Sequence, residues 1–265
     1  AGRLWQEERE IKMSGLKTKA LLTCVAMGLA LGACATKPPA SDPEALALYK
    51  EKNDPFEPLN RATFNFSNTL DAVTLKPLAK GYRAVVPDPA RESIGNFVSN
   101  VQEPWNFINL LLQGKPDYAG EVLGRFLVNS TIGIAGFFDQ ATPIGLDPHP
   151  EDFGQTVASW GVPEGPYLYV PLLGPSNPRD FTGFAAQFFG DPVSLTFDYT
   201  NHENVSYGIT AGQFVDTREA LLDIFDPILE EGGDPYATLR SSYRQNRDFD
   251  IKDGAIDEDE GDDLF

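Results

Sequence analysis

The chain has 265 residues, with 21 Lys and Arg against 39 Asp and Glu, for a formal net charge of −18. Without a basic patch this balance argues against nucleic-acid binding and against electrostatic attraction to anionic lipid. Its two cysteines, Cys24 and Cys34, make no disulfide framework, so stability has to come from a buried core, and the length suffices for one large domain or two small ones.

Lys17 and Lys19 precede a 14-residue apolar stretch from Ala20 to Ala33. A basic segment followed by about 7–15 apolar residues is a secretory signal, too short for a comfortable membrane span. It ends in Leu31-Gly32-Ala33-Cys34, which resembles the bacterial lipobox, where the cysteine takes a diacylglycerol and the peptide is cut before it. Residues 13–33 are therefore expected to be a lipoprotein signal peptide and Cys34 the lipidated residue. Residues 1–12 do not fit a targeting segment, because Arg3, Arg9 and Lys12 are balanced by Glu7, Glu8 and Glu10. They are read as an upstream extension, with Met13 the better start. Cleavage would take Cys24 away and leave Cys34 as an acylated thiol, so no disulfide is expected despite export. It would also shift the net charge from −18 to −20, since residues 1–33 carry five basic and three acidic side chains. One fatty chain holds a protein only marginally and several hold it firmly; the lipobox resemblance implies several. In the sorting pattern this resembles, aspartate after the cysteine favours the inner membrane, and Ala35 stands there instead.

Residues 34–53 are polar and proline-containing and read as the lipidated N-terminus and tether. Asp54-Pro55-Phe56-Glu57 is expected to start a helix, with Asp as N-cap, Pro at N1 and Glu at N3. Pro87-Asp88-Pro89 repeats the device, and Ile94, Phe97, Val98 and Val101 behind it share one helix face. Pro104 is expected to open another short helix to Leu112, with Gly114 as its stop. Pro116 opens the next, in which Ala119, Val122, Leu123, Phe126 and Leu127 share a face. Phe126 to Phe138 is the most hydrophobic body segment, and its thirteen residues cannot span a bilayer as a helix. Composition leaves open whether these apolar residues fill a core or lie in the bilayer plane facing lipid. Gly165 to Gly174 reads as extended chain or a short hairpin. Asn177-Pro178 opens a helix carrying Phe181, Phe184 and Phe188, and Asp216–Leu229 and Asp234–Arg247 read as the last helices. Residues 251–265 form an acidic tail, read either as disordered and solubilising or as a docking strip for a basic partner. The class is mainly α with little β.

No pattern of catalytic chemistry stands out. The two histidines, His149 in a proline-rich loop and His202 beside Glu203, form neither HExxH nor a zinc pattern. There is no GxSxG elbow and no phosphate-binding GxxxxGK[ST] loop. Asp248, Asp250 and Asp253 superficially suggest a calcium loop, but Lys252 intrudes and no spaced glutamate completes it. No catalytic residue, metal site or cofactor is expected.

Several runs together resemble one family. They are Asp54-Pro55-Phe56-Glu57-Pro58-Leu59-Asn60-Arg61 with Phe64-Asn65-Phe66, Val86-Pro87-Asp88-Pro89-Ala90-Arg91, Ile94-Gly95-Asn96-Phe97, Glu103-Pro104 and Leu112-Gln113-Gly114. Further on come Arg125-Phe126, Asn129-Ser130-Thr131-Ile132-Gly133, Glu151-Asp152-Phe153-Gly154-Gln155-Thr156, Gly161-Val162, Gly165-Pro166-Tyr167 and Asp234-Pro235-Tyr236. In order and number these resemble the MlaA/VacJ outer-membrane lipoproteins over residues 54–250.

The resemblance implies a ring-shaped bundle of short amphipathic helices lying in the outer membrane and entered from the periplasmic side. It implies a trimeric porin as partner. It also implies that phospholipid misplaced in the outer leaflet is withdrawn and passed to the periplasmic lipid-binding protein of the Mla pathway, without hydrolysis. On that reading Phe64, Asn65, Phe66, Trp105, Phe107, Leu110 and Leu111 are candidates for membrane or porin contact. Val205, Ile209, Gly212, Asp216 and Arg218 are candidates for channel wall, and Phe138, Asp139, Pro143 and Gly145 for a gate loop. The tail from Lys252 and the segment 191–215 match no motif of the family. The competing readings are a lipid-tethered periplasmic adaptor with no channel and a lipid-modifying hydrolase.

Overall fold

The computed structural model describes residues 53–254 other than 201, 202 and 231. The expected signal segment, Cys34, nearly all of the expected tether, His202 and residues 255–265 lie outside the described residues.

Helix α1 (Glu57–Val73) begins two residues later than the Asp54 cap would place it. The Asp54 carboxylate is used elsewhere. It is buried and accepts from Asn60 Nδ2 at 2.7 Å, from the Tyr236 hydroxyl and from Arg240 Nη1 at 2.8 Å. A break at Thr74 separates α2 (Leu75–Val85). Helix α3 (Asp88–Gln113) is capped by Pro87 without a side-chain bond, so Asp88 is its first residue and not its N-cap.

The expected new helix at Pro104 is absent, because α3 runs through it as one 26-residue helix. A proline normally costs a backbone hydrogen bond and a clash inside a helix. Here Asn100, Glu103, Asn106 and Asn109 form a buried stripe that winds around the helix across it, and packing along that stripe keeps the two halves together. Gly114 ends α3 in the left-handed conformation, φ 76°, as expected.

Helix α4 (Pro116–Thr131) follows, then a tight passage through Ile134, Ala135 and Gly136, all at positive φ. Gly136 is required there, since a Cβ would stand 2.5 Å from the Asn100 side chain. A short 3-10 turn (Thr142–Ile144) leads to α5 (Phe153–Ser159). The side chain of Asp152 caps α5 by accepting from the Gln155 amide at 2.9 Å. Strands β1 (Leu168–Val170) and β2 (Gly174–Ser176) form the expected hairpin, paired Leu168 to Ser176 and Val170 to Gly174.

Asn177 caps α6 (Pro178–Gly190), as its sequence indicates, by accepting from the Asp180 amide. Helix α7 (Pro192–Tyr199) leads into α8 (Glu203–Ala220). Asp216 thus lies inside α8, and the single helix expected from Asp216 to Leu229 is split before α9 (Leu222–Glu230). Asp234 caps α10 (Pro235–Ile251) through the Ala237 amide.

The packing closes on itself. Helix α1 meets α2, α2 meets α8, α8 meets α3, α3 meets α5, α5 meets α10, α10 meets β2, and β1 returns to α1. Helix α4 packs along α3, and α6 along α5. The latter pair approaches so closely that a Cβ on Gly183 would stand 2.4 Å from the Gly154 nitrogen.

The seam between the two ends of the chain is aromatic and charged at once. Phe64, Tyr167, Tyr169 and Tyr236 form its core, with edge-to-face contacts at 5.4–6.0 Å. Burial and the Asp54 carboxylate push the Tyr236 hydroxyl well above its ordinary pKa, so it stays protonated and donates to Asp54. Replacing Asp54 by Ala leaves Arg240 and Asn60 without this acceptor. We expect a loss of about 3–5 kcal/mol in stability, with Asp54→Asn milder. Chemical denaturation in detergent micelles checks this, and a loss below ~1 kcal/mol for the alanine variant would contradict the role given to Asp54.

Candidate functional site

The distribution of apolar side chains is inverted. Among the described residues 29 large hydrophobic side chains are exposed, whereas the buried hydrophobic set numbers 14 and five of those are alanines. Buried polar or charged residues number 18, so the interior is held chiefly by polar contacts. Buried polar groups are normally rare and paired, and an exposed apolar surface of this extent marks an interaction site.

Two stretches of the apolar exterior carry no exposed charged side chain. Along α4 and the turn behind it, Leu123, Leu127, Ile132, Ile134, Phe137 and Phe138 are exposed. On α6, Phe181, Phe184 and Phe188 stack as a ladder with ring centres 6.4 and 6.3 Å apart, and all three are exposed. Among the described residues no helix is long and apolar enough to cross a membrane.

The polar interior starts from a stripe that winds around α3. Asn100, Glu103, Asn106 and Asn109 recur every three residues and are all buried. Arg125 of α4 meets Glu103 at 3.1 Å. It also donates to the Thr142 hydroxyl at 2.9 Å and to the Leu146 carbonyl at 2.6 Å, and pairs with Asp139 at 3.3 Å. Burial pushes the Glu103 carboxyl up in spite of Asn106 and Arg125. Glu151 is likewise raised by burial, although Gln113 and Lys115 favour its charged form. Farther along, Asn106 accepts from the Glu151 amide at 3.2 Å and Asn109 from the Thr156 hydroxyl at 2.8 Å.

Not every residue singled out from sequence lies where its expected role requires. Phe64, Trp105 and Leu110 are buried, so these three are core and not contact residues. Each points from its helix toward the neighbouring element, a choice that the apolar pattern by itself does not make. Asn65, Phe66 and Leu111 are exposed, and Phe107 is half-buried against Leu110 and Val122. Val205 and Gly212 are exposed and Ile209 is half-buried. Asp216 is half-buried and accepts from the Tyr82 hydroxyl at 3.1 Å.

Arg218 differs from its expected place. It is buried and clamps Asp71 at 2.8 Å and Asp226 at 2.7 Å, which makes it a tie between α1, α8 and α9. In the loop after α4, Phe138, Pro143 and Gly145 are exposed, and Asp139 is the anchor. Its carboxylate accepts from Asn129 and from the Thr142 amide and hydroxyl.

Helix α2 carries none of the residues singled out from sequence, yet its Lys76, Lys80 and Arg83 share one face. The i, i+4, i+7 spacing of three cations was the available signal. Among the described residues no cluster of three metal-binding side chains occurs.

The MlaA lipoprotein family model matches residues 52–250. The chain belongs to the MlaA lipoprotein family. Among its relatives is the Intermembrane phospholipid transport system lipoprotein MlaA of Haemophilus influenzae, 33% identical over 254 residues, spanning 91% of this chain and 94% of that one. The Escherichia coli protein of the same name is 36% identical over 211 residues, 77% of this chain and 81% of that one. A solved structure concerned with the maintenance of bacterial outer membrane lipid asymmetry superposes with a TM-score of 0.64 at 35% identity. It covers 75% of this chain and 98% of its own. The mainly helical architecture with little sheet is therefore the architecture of the family.

Asp139 links the polar interior to pH. Burial by itself raises an acid, but the Thr142 hydroxyl and amide, Asn129 and Arg125 outweigh it and hold the Asp139 carboxyl at about 2. A depressed pKa stabilises above the unfolded value near ~3.9, and that stability is lost as pH falls through the folded value. Melting temperature in detergent is expected to drop for the wild type between about pH 4 and pH 2, and less steeply for Asp139→Asn. Parallel curves for the two proteins would refute the coupling.

Proposed function

We propose that this chain withdraws phospholipid from the outer leaflet of the outer membrane and hands it to the periplasmic lipid-binding protein of the Mla pathway, and so maintains lipid asymmetry. The observation that carries this reading is the inverted surface in a chain of the MlaA family. Short helices with apolar faces outward and paired polar groups inward suit a body lying in hydrocarbon, where every backbone and polar group has to be satisfied internally. A phospholipid brings two apolar tails and a charged head. The tails need to stay in or near hydrocarbon while the head needs a polar route.

In this reading Cys34 carries the lipid anchor and the body is embedded from the periplasmic side. Exposed Asn65, Phe66 and Leu111, with half-buried Phe107, supply contact with the bilayer or a trimeric porin. Val205, Ile209, Gly212 and Asp216 border the lipid route, while Arg218 braces it from behind. Phe138, Pro143 and Gly145 form the exposed crest of a gate loop whose base is the Asp139 anchor. No bond of the lipid is broken.

The test is a deletion strain scored for surface-exposed phospholipid and detergent sensitivity. Both are expected to rise on deletion and to be restored by the wild-type gene but not by Cys34→Ala. Unchanged outer-leaflet lipid in a strain without a redundant copy would sink the transport reading. Fractionation of the Cys34→Ala protein separates it from a tethered adaptor. An embedded body still needs detergent for extraction, whereas an adaptor becomes soluble.

A further inference from the structure

Helices α2 and α9 face each other with opposite charges. Lys80 and Arg83 line one side, and Asp223, Asp226 and Glu230 the other, around a cleft of about 540 Å³, with Lys76 one turn along α2 from Lys80. At one end Arg83 meets Asp223 at 2.8 Å. At the other Lys76 meets Asp226 at 3.1 Å and Glu230 at 3.5 Å. Between them Lys80 has no ion-pair or side-chain hydrogen-bond partner among the described residues, and the side of the cleft supplied by α9 carries Pro227 between Asp226 and Glu230. The facing charges form a zipper with one anionic position missing.

We infer that this cleft binds the phosphate of a zwitterionic phospholipid head group at Lys80. The inference rests on the phospholipid reading above and gives it a head-group site. A phosphate on Lys80 makes the charge-assisted bond that the zipper lacks. Asp223 and Glu230, with side chains 76% and 71% exposed, are placed to take the ammonium of the same head group. A net anion would gain the phosphate bond but bring no cation to a lining that holds three carboxylates, Asp223, Asp226 and Glu230, so the site discriminates in favour of the zwitterion. The cleft has the size of small-ligand pockets. Ala84, Leu222 and Pro227 supply its apolar lining.

Native mass spectrometry of the purified full chain, released from non-ionic detergent, tests this directly. The added lipids are equimolar dioleoyl-phosphatidylethanolamine, dioleoyl-phosphatidylglycerol and dioleoylglycerol. Phosphatidylethanolamine is expected to be retained above the other two. Lys80→Ala is expected to lower its retention about tenfold, the scale of one charge-assisted hydrogen bond, and Lys80→Arg to preserve it. Inorganic phosphate at millimolar concentration is expected not to compete. Lys80 is exposed, so its removal should leave the far-ultraviolet circular dichroism unchanged.

Equal retention by Lys80→Ala, equal retention of dioleoylglycerol, a preference for phosphatidylglycerol, or displacement by inorganic phosphate would each overturn the inference. The last would mark a free-anion site in place of a lipid one. Equal retention in a protein that still complements the deletion strain removes the head-group site and leaves transport standing. A deletion strain with unchanged outer-leaflet lipid removes transport, whatever the binding result.

Discussion

Glu103 and Arg125 meet in the interior between α3 and α4 with almost no access to solvent, and the polar contacts between α3, α4 and the loop behind α4 are arranged around that pair. A buried ion pair is costly unless its remaining hydrogen-bonding capacity is met. The chain meets it by bringing the loop behind α4 back over Arg125, so that Thr142, Asp139 and the Leu146 carbonyl all bond to one guanidinium. Asn106 then completes Glu103 from its own helix. The loop is therefore a consequence of the pair: without ligands for Arg125 the helices could not close on a charged residue. The same stripe continues to Asn109, Thr156 and Gln113 and fixes α5 against α3.

A polar interior also accounts for contacts that run in a circuit. Here the apolar residues are largely outside, and cohesion depends on discrete ties. Arg218 holds α1, α8 and α9 together. Arg247 joins Asp152 before α5 to Asp180 on α6. Asp54 joins the first described turn to α10. Each tie spans a large separation in sequence, and together they connect successive elements around the circuit. In the proposed setting such ties gain strength, because a low-dielectric surround weakens competition from water.

Local chemistry was legible in the sequence where it acts locally. Asn177 and Asp234 cap their helices as their neighbours suggested, and Gly114 ends α3. These bonds span three or four residues, so no distant partner can easily redirect them. Asp54 looked like the same device and was not one, since Tyr236 and Arg240 compete for its carboxylate from 182 and 186 residues away. Pro104 looked like a helix start for equally local reasons, and the packing of the α3 stripe overrode it. The candidate surface residues divide in the same way. Asn65, Phe66 and Leu111 are outside, but Phe64, Trp105 and Leu110 are inside, although all six come from two apolar runs.

By itself the sequence determined the mainly helical class, several helix ends and membership of the MlaA family, because caps, stops and ordered motifs are written in adjacent residues. Only the tertiary structure decided which apolar faces turn outward. Periodicity marks a helix face as distinct but says nothing of whether a protein core or something else covers it. Phe181, Phe184 and Phe188 share a face in either case, and the fold placed them on the surface. The fold likewise decided that Lys80 lines a cleft with Pro227 and without an ion-pair partner among the described residues, since that depends on the register of α2 against α9, two helices more than a hundred residues apart in the chain.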